Sequence, residues 1–175
     1  MTSSTYEKVS GYRVLIHAEI EFYFEELIKA IIKKAYDQWV ESNNVSRTLV
    51  ALVAYCPKGF ESIPERTTDR TAASDLKYRI KESRDYFNTY IRTKNNGIKE
   101  KDILALLLPI GVALDDIDND LLIALNNFGT ARGQIAHSTR AQTPLAPSEA
   151  LTQVQDVINH IKQLDEMLLN EFLIP

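Results

Sequence analysis

The sequence contains few cysteines, which can cross-link a chain, and few glycines and prolines, which are common in turns. Its 175 residues include one cysteine, six glycines and six prolines. The single cysteine, Cys56, excludes an intramolecular disulfide and is typical of a protein in a reducing cytoplasm. A β-sandwich has many turns, which commonly use glycine and proline, and this chain has few of either residue. The composition therefore favours a helical protein.

Long apolar segments are also missing. The longest strongly apolar run extends from Ile103 to Leu114, contains Pro109, and is well short of the ~20 residues that cross a bilayer. The first residues, MTSSTYEKVSGYR, place Glu7 and other polar residues where a signal peptide has its apolar stretch. We therefore expect a cytoplasmic protein that makes no membrane contact.

An excess of positive charge is absent as well. Twenty Lys and Arg residues against 24 Asp and Glu residues give a net charge of −4, which excludes a uniformly basic coat for nucleic acid. The charge is uneven, because residues 66–101 carry ten basic and five acidic residues. The aromatic residues among them are Tyr78, Tyr86, Phe87 and Tyr90. Such a segment suits single-stranded RNA, although an exposed helix face with its aromatic side chains packed inward explains the pattern more simply.

Apolar residues recur at the spacing of an α-helix along most of the chain. The short apolar segment RTLVALVAY is interpreted as a buried helix, although periodicity alone does not distinguish it from a strand. The predicted helices span about residues 12–41, 47–55, 72–94 and 99–108, with a fifth from Asp118 past residue 130 and a sixth from its N-cap Ser148 to Phe172, and the main loops are 57–71 and 139–147. The prediction is an all-α fold, a single-domain bundle of five or six helices over residues 1–175.

No metal or cofactor site is apparent in the sequence. It has no second cysteine for zinc, no Glu-x-x-His pair for a carboxylate metal centre and no glycine-rich phosphate loop. The acidic run of Asp115, Asp116, Asp118 and Asp120 lacks the glycine and the final glutamate of a calcium loop. These acids are predicted to cap a helix and occupy its first turn. We therefore expect neither a metal nor a cofactor.

Arg132 lies on the apolar stripe of the fifth predicted helix. The residues of this stripe, within about 80° of one another around the helix axis, are Leu121, Leu125, Phe128, Arg132 and Ile135. A guanidinium group there costs desolvation energy unless it is paired or meets an anion. Gly129 and Gly133 are poor helix formers, and a close approach of another segment to this helix would explain them.

The segment from Arg132 to His137, Arg-Gly-Gln-Ile-Ala-His, matches the Arg-x4-6-His motif of the HEPN (higher eukaryotes and prokaryotes nucleotide-binding) superfamily. The long first helix, with its segment HAEIEFYFEELIKAIIKKA, is also similar to these proteins. The chain therefore resembles the RiboL-PSP type of HEPN domain over nearly its whole length. The resemblance implies a helical bundle that acts as a metal-independent ribonuclease. The chain departs from many members at Gly133, where they carry Asn, Asp or His.

The two outer residues of the motif suit RNA cleavage without a metal ion. The 2′-hydroxyl of RNA can attack the adjacent phosphate and leave a 2′,3′-cyclic phosphate. His137, whose unperturbed pKa is about 6.5, is then a candidate general base or acid, and Arg132 is a candidate bidentate phosphate clamp. Gln134, Ser138 and Thr139 either contact phosphate or cap the end of the helix.

The spacing of Arg132 and His137 limits how one chain can build this site. On one straight helix the two positions lie about 140° apart, so either the helix ends between them or the site is completed from elsewhere. The resemblance implies a homodimer in which both Arg/His pairs line one composite active site. It also implies an endoribonuclease that acts on RNA, as a toxin or phage-defence effector held in check by an antitoxin protein.

Two other interpretations stay open. Gly133 and the acidic composition favour a noncatalytic HEPN-like module that binds nucleotide, RNA or a protein partner. The third interpretation is a helical adaptor in which Arg132 forms a structural ion pair, and it requires that Arg132 and His137 occur together by coincidence.

Overall fold

The structure of the chain, a computed structural model, consists of α-helices joined by turns. It describes the backbone of residues 3–57, 75–137 and 145–173, and the side chains of these residues except 3 and 132–137. The six α-helices in these ranges are α1 (Ser3–Ser42), α2 (Arg47–Ala54), α3 (Leu76–Lys94), α4 (Glu100–Leu107), α5 (Asn119–His137) and α6 (Pro147–Leu168). Three shorter helical turns are Leu108–Ile110, Leu114–Asp116 and Leu169–Leu173. No strand occurs in the described ranges, so the predicted all-α fold of five or six helices is confirmed.

The contacts between residues divide the chain into two units. Each unit consists of segments that are not contiguous in the sequence. The first unit comprises Met1–Phe24, Asn96–Leu104 and Leu114–Pro175, and the second comprises Glu25–Asn95 and Ala105–Ala113. Both units use part of α1 and part of α4. The prediction of one domain over residues 1–175 stays a prediction.

The core of the first unit lies where α5 packs on α6. Leu121, Leu125 and Phe128 are buried, so the apolar stripe predicted for α5 is confirmed as far as Phe128. The buried residues of α6 are Ala150, Val154, Val157, Ile161, Leu164 and Leu168. Burying a side chain such as Leu or Phe contributes ~1.5–3 kcal/mol. This packing holds the α5 backbone in a defined position.

In the second unit, α2 packs on α3 and on the turn Leu108–Ile110. Ser46 is the N-cap of α2, and its Oγ accepts a hydrogen bond from the backbone N–H of Leu49 at 3.2 Å. Leu49 and Leu52 are both buried. A side-chain cap at one end and an apolar face of this kind stabilise even a two-turn helix. The prediction of a short buried helix here, rather than a strand, is therefore confirmed.

The long apolar run of the sequence forms α4 and the turn after it. Ile103 and Leu107 are fully buried in α4, and Pro109 lies in the 3₁₀ turn, which ends at Gly111 with φ of +95°. The predicted end of this helix at the proline and glycine is thereby confirmed. Within the described part of the chain, no helix combines the length and apolar character needed to cross a membrane.

The predicted start of α1 is wrong. The helix begins at Ser3 rather than near residue 12. Its buried face continues toward the N-terminus through His17, Arg13 and Val9, which are spaced four residues apart. Two of these three side chains are polar, so the sequence shows no continuous apolar stripe in this segment. The prediction therefore placed the start of the helix too late.

The predicted N-cap of the last helix is also wrong. α6 begins with Pro147, and Ala146 rather than Ser148 is its N-cap. The fixed φ of proline suits the first helical position. The Glu149 carboxylate accepts a hydrogen bond from the backbone N–H of Ala146 at 3.1 Å, so it satisfies a backbone donor at the helix start. Most of the loops predicted at 57–71 and 139–147 lies outside the described residues.

Candidate functional site

Helix α5 carries most of the predicted site residues. Asp118 precedes the helix, and its Oδ1 accepts a hydrogen bond from the backbone N–H of Asp120 at 2.9 Å. The predicted capping role is thus confirmed for Asp118, and Asp120 lies in the first turn. The helix then continues without interruption to His137.

Arg132, Gln134 and His137 therefore lie on one continuous helix. Their side chains lie outside the described part of the structure, as do Ser138 and Thr139 entirely. Positions 132 and 137 are about 140° apart around the helix axis and about 7.5 Å apart along it. Because the helix does not end between them, a site that uses both residues needs groups from another element or from a second copy of the chain.

Gly129 explains how another segment approaches this helix. A Cβ atom built at Gly129 would lie 3.1 Å from Cγ of Lys99 and 3.6 Å from Cγ1 of Ile98, just before the start of α4. The distance to Ile98 is ordinary van der Waals contact, whereas the distance to Lys99 is so short that a side chain at this position requires Lys99 to shift. The predicted close approach is confirmed at Gly129, and the surroundings of Gly133 are outside the described residues.

Replacement of Gly129 by valine is expected to lower the free energy of unfolding by roughly 1–3 kcal/mol, because the branched side chain would collide with Ile98 and Lys99. The matched control is Thr130→Val, which places the same side chain at the next, exposed position of α5. The control should change stability by less than about 0.5 kcal/mol. Urea unfolding of both variants measures the difference, and equal stabilities would contradict the close approach.

Arg13 of α1 is a candidate residue that the sequence did not single out. It is 9% exposed, and its guanidinium carbon lies 5.4 Å from the centre of the Phe128 ring. Among the described residues, Nε of Arg13 has no hydrogen-bond partner. Burial lowers the pKa of this guanidinium from its ordinary value, because the charged form has lost water. A buried arginine beside the motif-bearing helix is therefore available to a ligand.

Arg13 lines a cavity of about 300 Å³ in the first unit. The cavity lies among α1, α5 and α6, and its lining residues are Arg13, Ala124, Asn127, Phe128, Ala131, Gln153, Asp156 and Val157. Ala131 directly precedes Arg132 in α5. We call this cavity the Arg13 pocket. It reaches the helical turn that carries the arginine of the motif.

Comparison with known protein families identifies the chain. The RiboL-PSP-HEPN family matches residues 3–170, which include the six α-helices of the described ranges. The chain belongs to this family. No curated protein and no solved structure matches the chain. The resemblance carried by the segment from Arg132 to His137 is confirmed at the level of the family, and the roles of individual residues stay predictions.

The HEPN domain also presents aromatic side chains on α3, within the basic segment of the sequence. Tyr78 and Tyr86 are 41% and 38% exposed. Phe87 is buried and stacks on Tyr90, with the ring centres 6.0 Å apart. Inward packing, which was the simpler interpretation of this pattern, therefore holds for Phe87 and is wrong for Tyr78 and Tyr86.

The second unit of the HEPN domain also has a basic cavity, which is lined by residues of α1 and α3. Lys29, Lys33 and Arg84 line a cavity of about 390 Å³ together with Asp37 and Asn88. The guanidinium carbon of Arg84 lies 4.0 Å from the centre of the Tyr36 ring. The sequence analysis assigned excess basic charge to residues 66–101, and nothing in the sequence indicated that lysines of α1 line a cavity together with Arg84.

The described residues of the HEPN domain include no group of three His, Cys, Asp or Glu side chains that could hold a metal ion. Asp115 and Asp116 lie in the 3₁₀ turn before α5 rather than in a binding loop. The described residues therefore contain no ligand set for a metal ion.

Proposed function

We propose that this HEPN domain is an endoribonuclease that cleaves RNA without a metal ion. The observation that carries the proposal is the intact Arg132 to His137 motif on one helix of a chain that belongs to the RiboL-PSP-HEPN family. Arginine and histidine are the two groups that this reaction requires: a cation for the phosphate and a proton carrier near neutral pH.

The proposed reaction is an internal transfer of the phosphoryl group. His137 takes the proton of the RNA 2′-hydroxyl, and the 2′-oxygen attacks the adjacent phosphorus while the bond from phosphorus to O5′ breaks. His137, once protonated, gives this proton to O5′, which leaves as a hydroxyl. Arg132 donates hydrogen bonds to the phosphate oxygens and stabilises their added negative charge in the transition state. The products are a 2′,3′-cyclic phosphate and a 5′-hydroxyl end.

The active site is proposed to form between two copies of the chain. Positions 132 and 137 face directions about 140° apart on one helix, so a single copy of α5 is poorly suited to bring both groups to one phosphate. A two-fold homodimer places Arg132 of one copy opposite His137 of the other. Each of the two equivalent sites then contains one Arg132 and one His137.

Further contacts to RNA are proposed for residues next to the motif in sequence and, separately, for residues of α3 in the second unit. Gln134, Ser138 and Thr139 are close enough in sequence to donate hydrogen bonds to the phosphate next to Arg132. The exposed Tyr78 and Tyr86 lie on a basic helix, where unpaired bases can stack on the tyrosine rings. Single-stranded RNA is therefore the proposed substrate. Because unrestrained RNA cleavage harms a cell, the proposed role is a toxin or phage-defence effector that an antitoxin protein inhibits.

A noncatalytic HEPN-like module is the second candidate function. Gly133 follows the motif arginine directly and offers no polar side chain there, and the net charge of −4 weakens long-range attraction to RNA. Such a module would bind nucleotide, RNA or a protein through the same surface without cutting RNA.

Incubation of the purified protein with single-stranded RNA in EDTA tests the proposed function. We expect cleavage in the absence of divalent metal, with 2′,3′-cyclic phosphate and 5′-hydroxyl ends detected by mass spectrometry. Cleavage that appears only after Mg²⁺ is added would contradict the proposal. Binding of RNA without any cleavage would favour the noncatalytic module.

A further inference from the structure

The Arg13 pocket combines a buried cation with an apolar floor. Arg13, Phe128 and Val157 are buried, and the guanidinium of Arg13 lies over the Phe128 ring at 5.4 Å. The ring face attracts the cation but replaces only part of the water that burial removed. The remaining N–H donors of Arg13 therefore favour a ligand that offers hydrogen-bond acceptors deep in the pocket.

The rim of the pocket is polar and exposed, and one of its residues is acidic. Asn127, Gln153 and Asp156 line it and are exposed. Asp156 is an acceptor only, and it forms no ion pair with Arg13 in the described structure. A simple phosphate group would be attracted by Arg13 and repelled by Asp156. The pocket instead suits a flat, uncharged group with acceptors on one edge and donors on another.

We propose that the Arg13 pocket binds a guanine base of the RNA substrate. Guanine presents O6 and N7 as two adjacent acceptors, which an arginine fork contacts together. Its N1–H and N2–H₂ groups are donors that a carboxylate such as Asp156 accepts. Asn127 and Gln153 can donate or accept at the same rim. Adenine places an N6–H₂ donor where guanine has O6, and the pyrimidines lack N7, so neither matches Arg13 as well.

The position of the pocket connects it to the proposed reaction. Ala131 lines the pocket and is followed directly by Arg132. A guanine held there would lie within a helical turn of the Arg132 backbone, so the assignment rests on the proposed ribonuclease function and adds a base preference to it. The volume of about 300 Å³ is at the lower end of small-molecule pockets and is adequate for one base.

Direct binding of the four 5′-nucleoside monophosphates to the full chain, measured by calorimetry in EDTA, tests the assignment without requiring catalysis. GMP is expected to bind at least about tenfold more tightly than AMP, CMP or UMP. Asp156→Asn should lower the affinity for GMP about tenfold and reduce its advantage. Arg13→Lys should do the same, because lysine keeps the charge but loses the planar fork. Asp115→Asn removes an exposed acid elsewhere in the first unit and should leave the preference unchanged.

Three results would overturn the guanine assignment. They are equal affinity for the four nucleotides, an unchanged preference in Asp156→Asn, and tighter binding of all four nucleotides by that variant, which would indicate a phosphate site. Asp156 is exposed, so its variant provides the test even if Arg13→Lys fails to fold. RNA cleavage in EDTA without a guanine preference would refute the pocket alone. Selective binding of GMP without RNA cleavage would refute the proposed function and leave a guanine-binding pocket with no part in RNA cleavage.

Discussion

Replacement of His137 by alanine is expected to lower the rate of RNA cleavage in EDTA by ~10²–10⁴-fold, because the reaction loses its proton carrier. Arg132→Ala should lower the rate by ~10²–10³-fold, because charge on the phosphate oxygens is no longer stabilised. Arg132→Lys should recover only part of this loss, since an ammonium group cannot form the paired hydrogen bonds of a guanidinium. Initial rates on a fluorescent RNA oligonucleotide measure all three effects.

The matched control for these variants is Asn126→Ala. Asn126 is an exposed residue of the same helix and does not line the Arg13 pocket, so its replacement should leave the rate unchanged. Circular dichroism of each variant separates a loss of chemistry from a loss of fold. Undiminished cleavage by folded His137→Ala protein would exclude His137 from the reaction and favour the noncatalytic module.

Heterodimers of Arg132→Ala and His137→Ala chains are expected to recover about half of the wild-type activity. In a two-fold composite site, one of the two equivalent active sites would then contain an intact Arg132 from one chain and an intact His137 from the other. The effect is large because each variant is nearly inactive as a homodimer. The two chains can be co-expressed with different affinity tags, purified through both tags and assayed on RNA in EDTA.

The geometry of α5 is the reason to expect this recovery. If one chain supplied both groups to the same phosphate, the heterodimer would contain no complete site and would be as inactive as either variant alone. That result would place the site within one chain while leaving the requirement for His137 intact. A wild-type protein that is monomeric by light scattering would likewise contradict the composite site.

The sequence predicted those parts of the fold that depend on repeated apolar residues. The stripe through Leu121, Leu125 and Phe128 predicted α5, and the short apolar segment RTLVALVAY predicted α2. Such signals are local, because the helical period alone determines which residues share a face. The start of α6 was missed because a proline and a glutamate outweighed the capping preference of Ser148.

The candidate site was only partly predictable for a related reason. Arg132 and His137 are found by their spacing within one helix, whereas Arg13 is more than a hundred residues away in sequence and is brought to Phe128 only by folding. A lone arginine in an amphipathic helix carries no signal that it will be buried. The exposure of Tyr78 and Tyr86 also depends on what packs against α3, and the sequence of α3 alone does not determine that packing.

Helix α1 runs for 40 residues and contributes to both units. The second unit is also interrupted in sequence by the segment Asn96–Leu104, and the first by Glu25–Asn95. No single cut in the backbone can therefore release either unit as a continuous fragment. A protease that separated the two would have to divide α1, and a gene fusion or truncation that kept only one of them would retain only part of that helix.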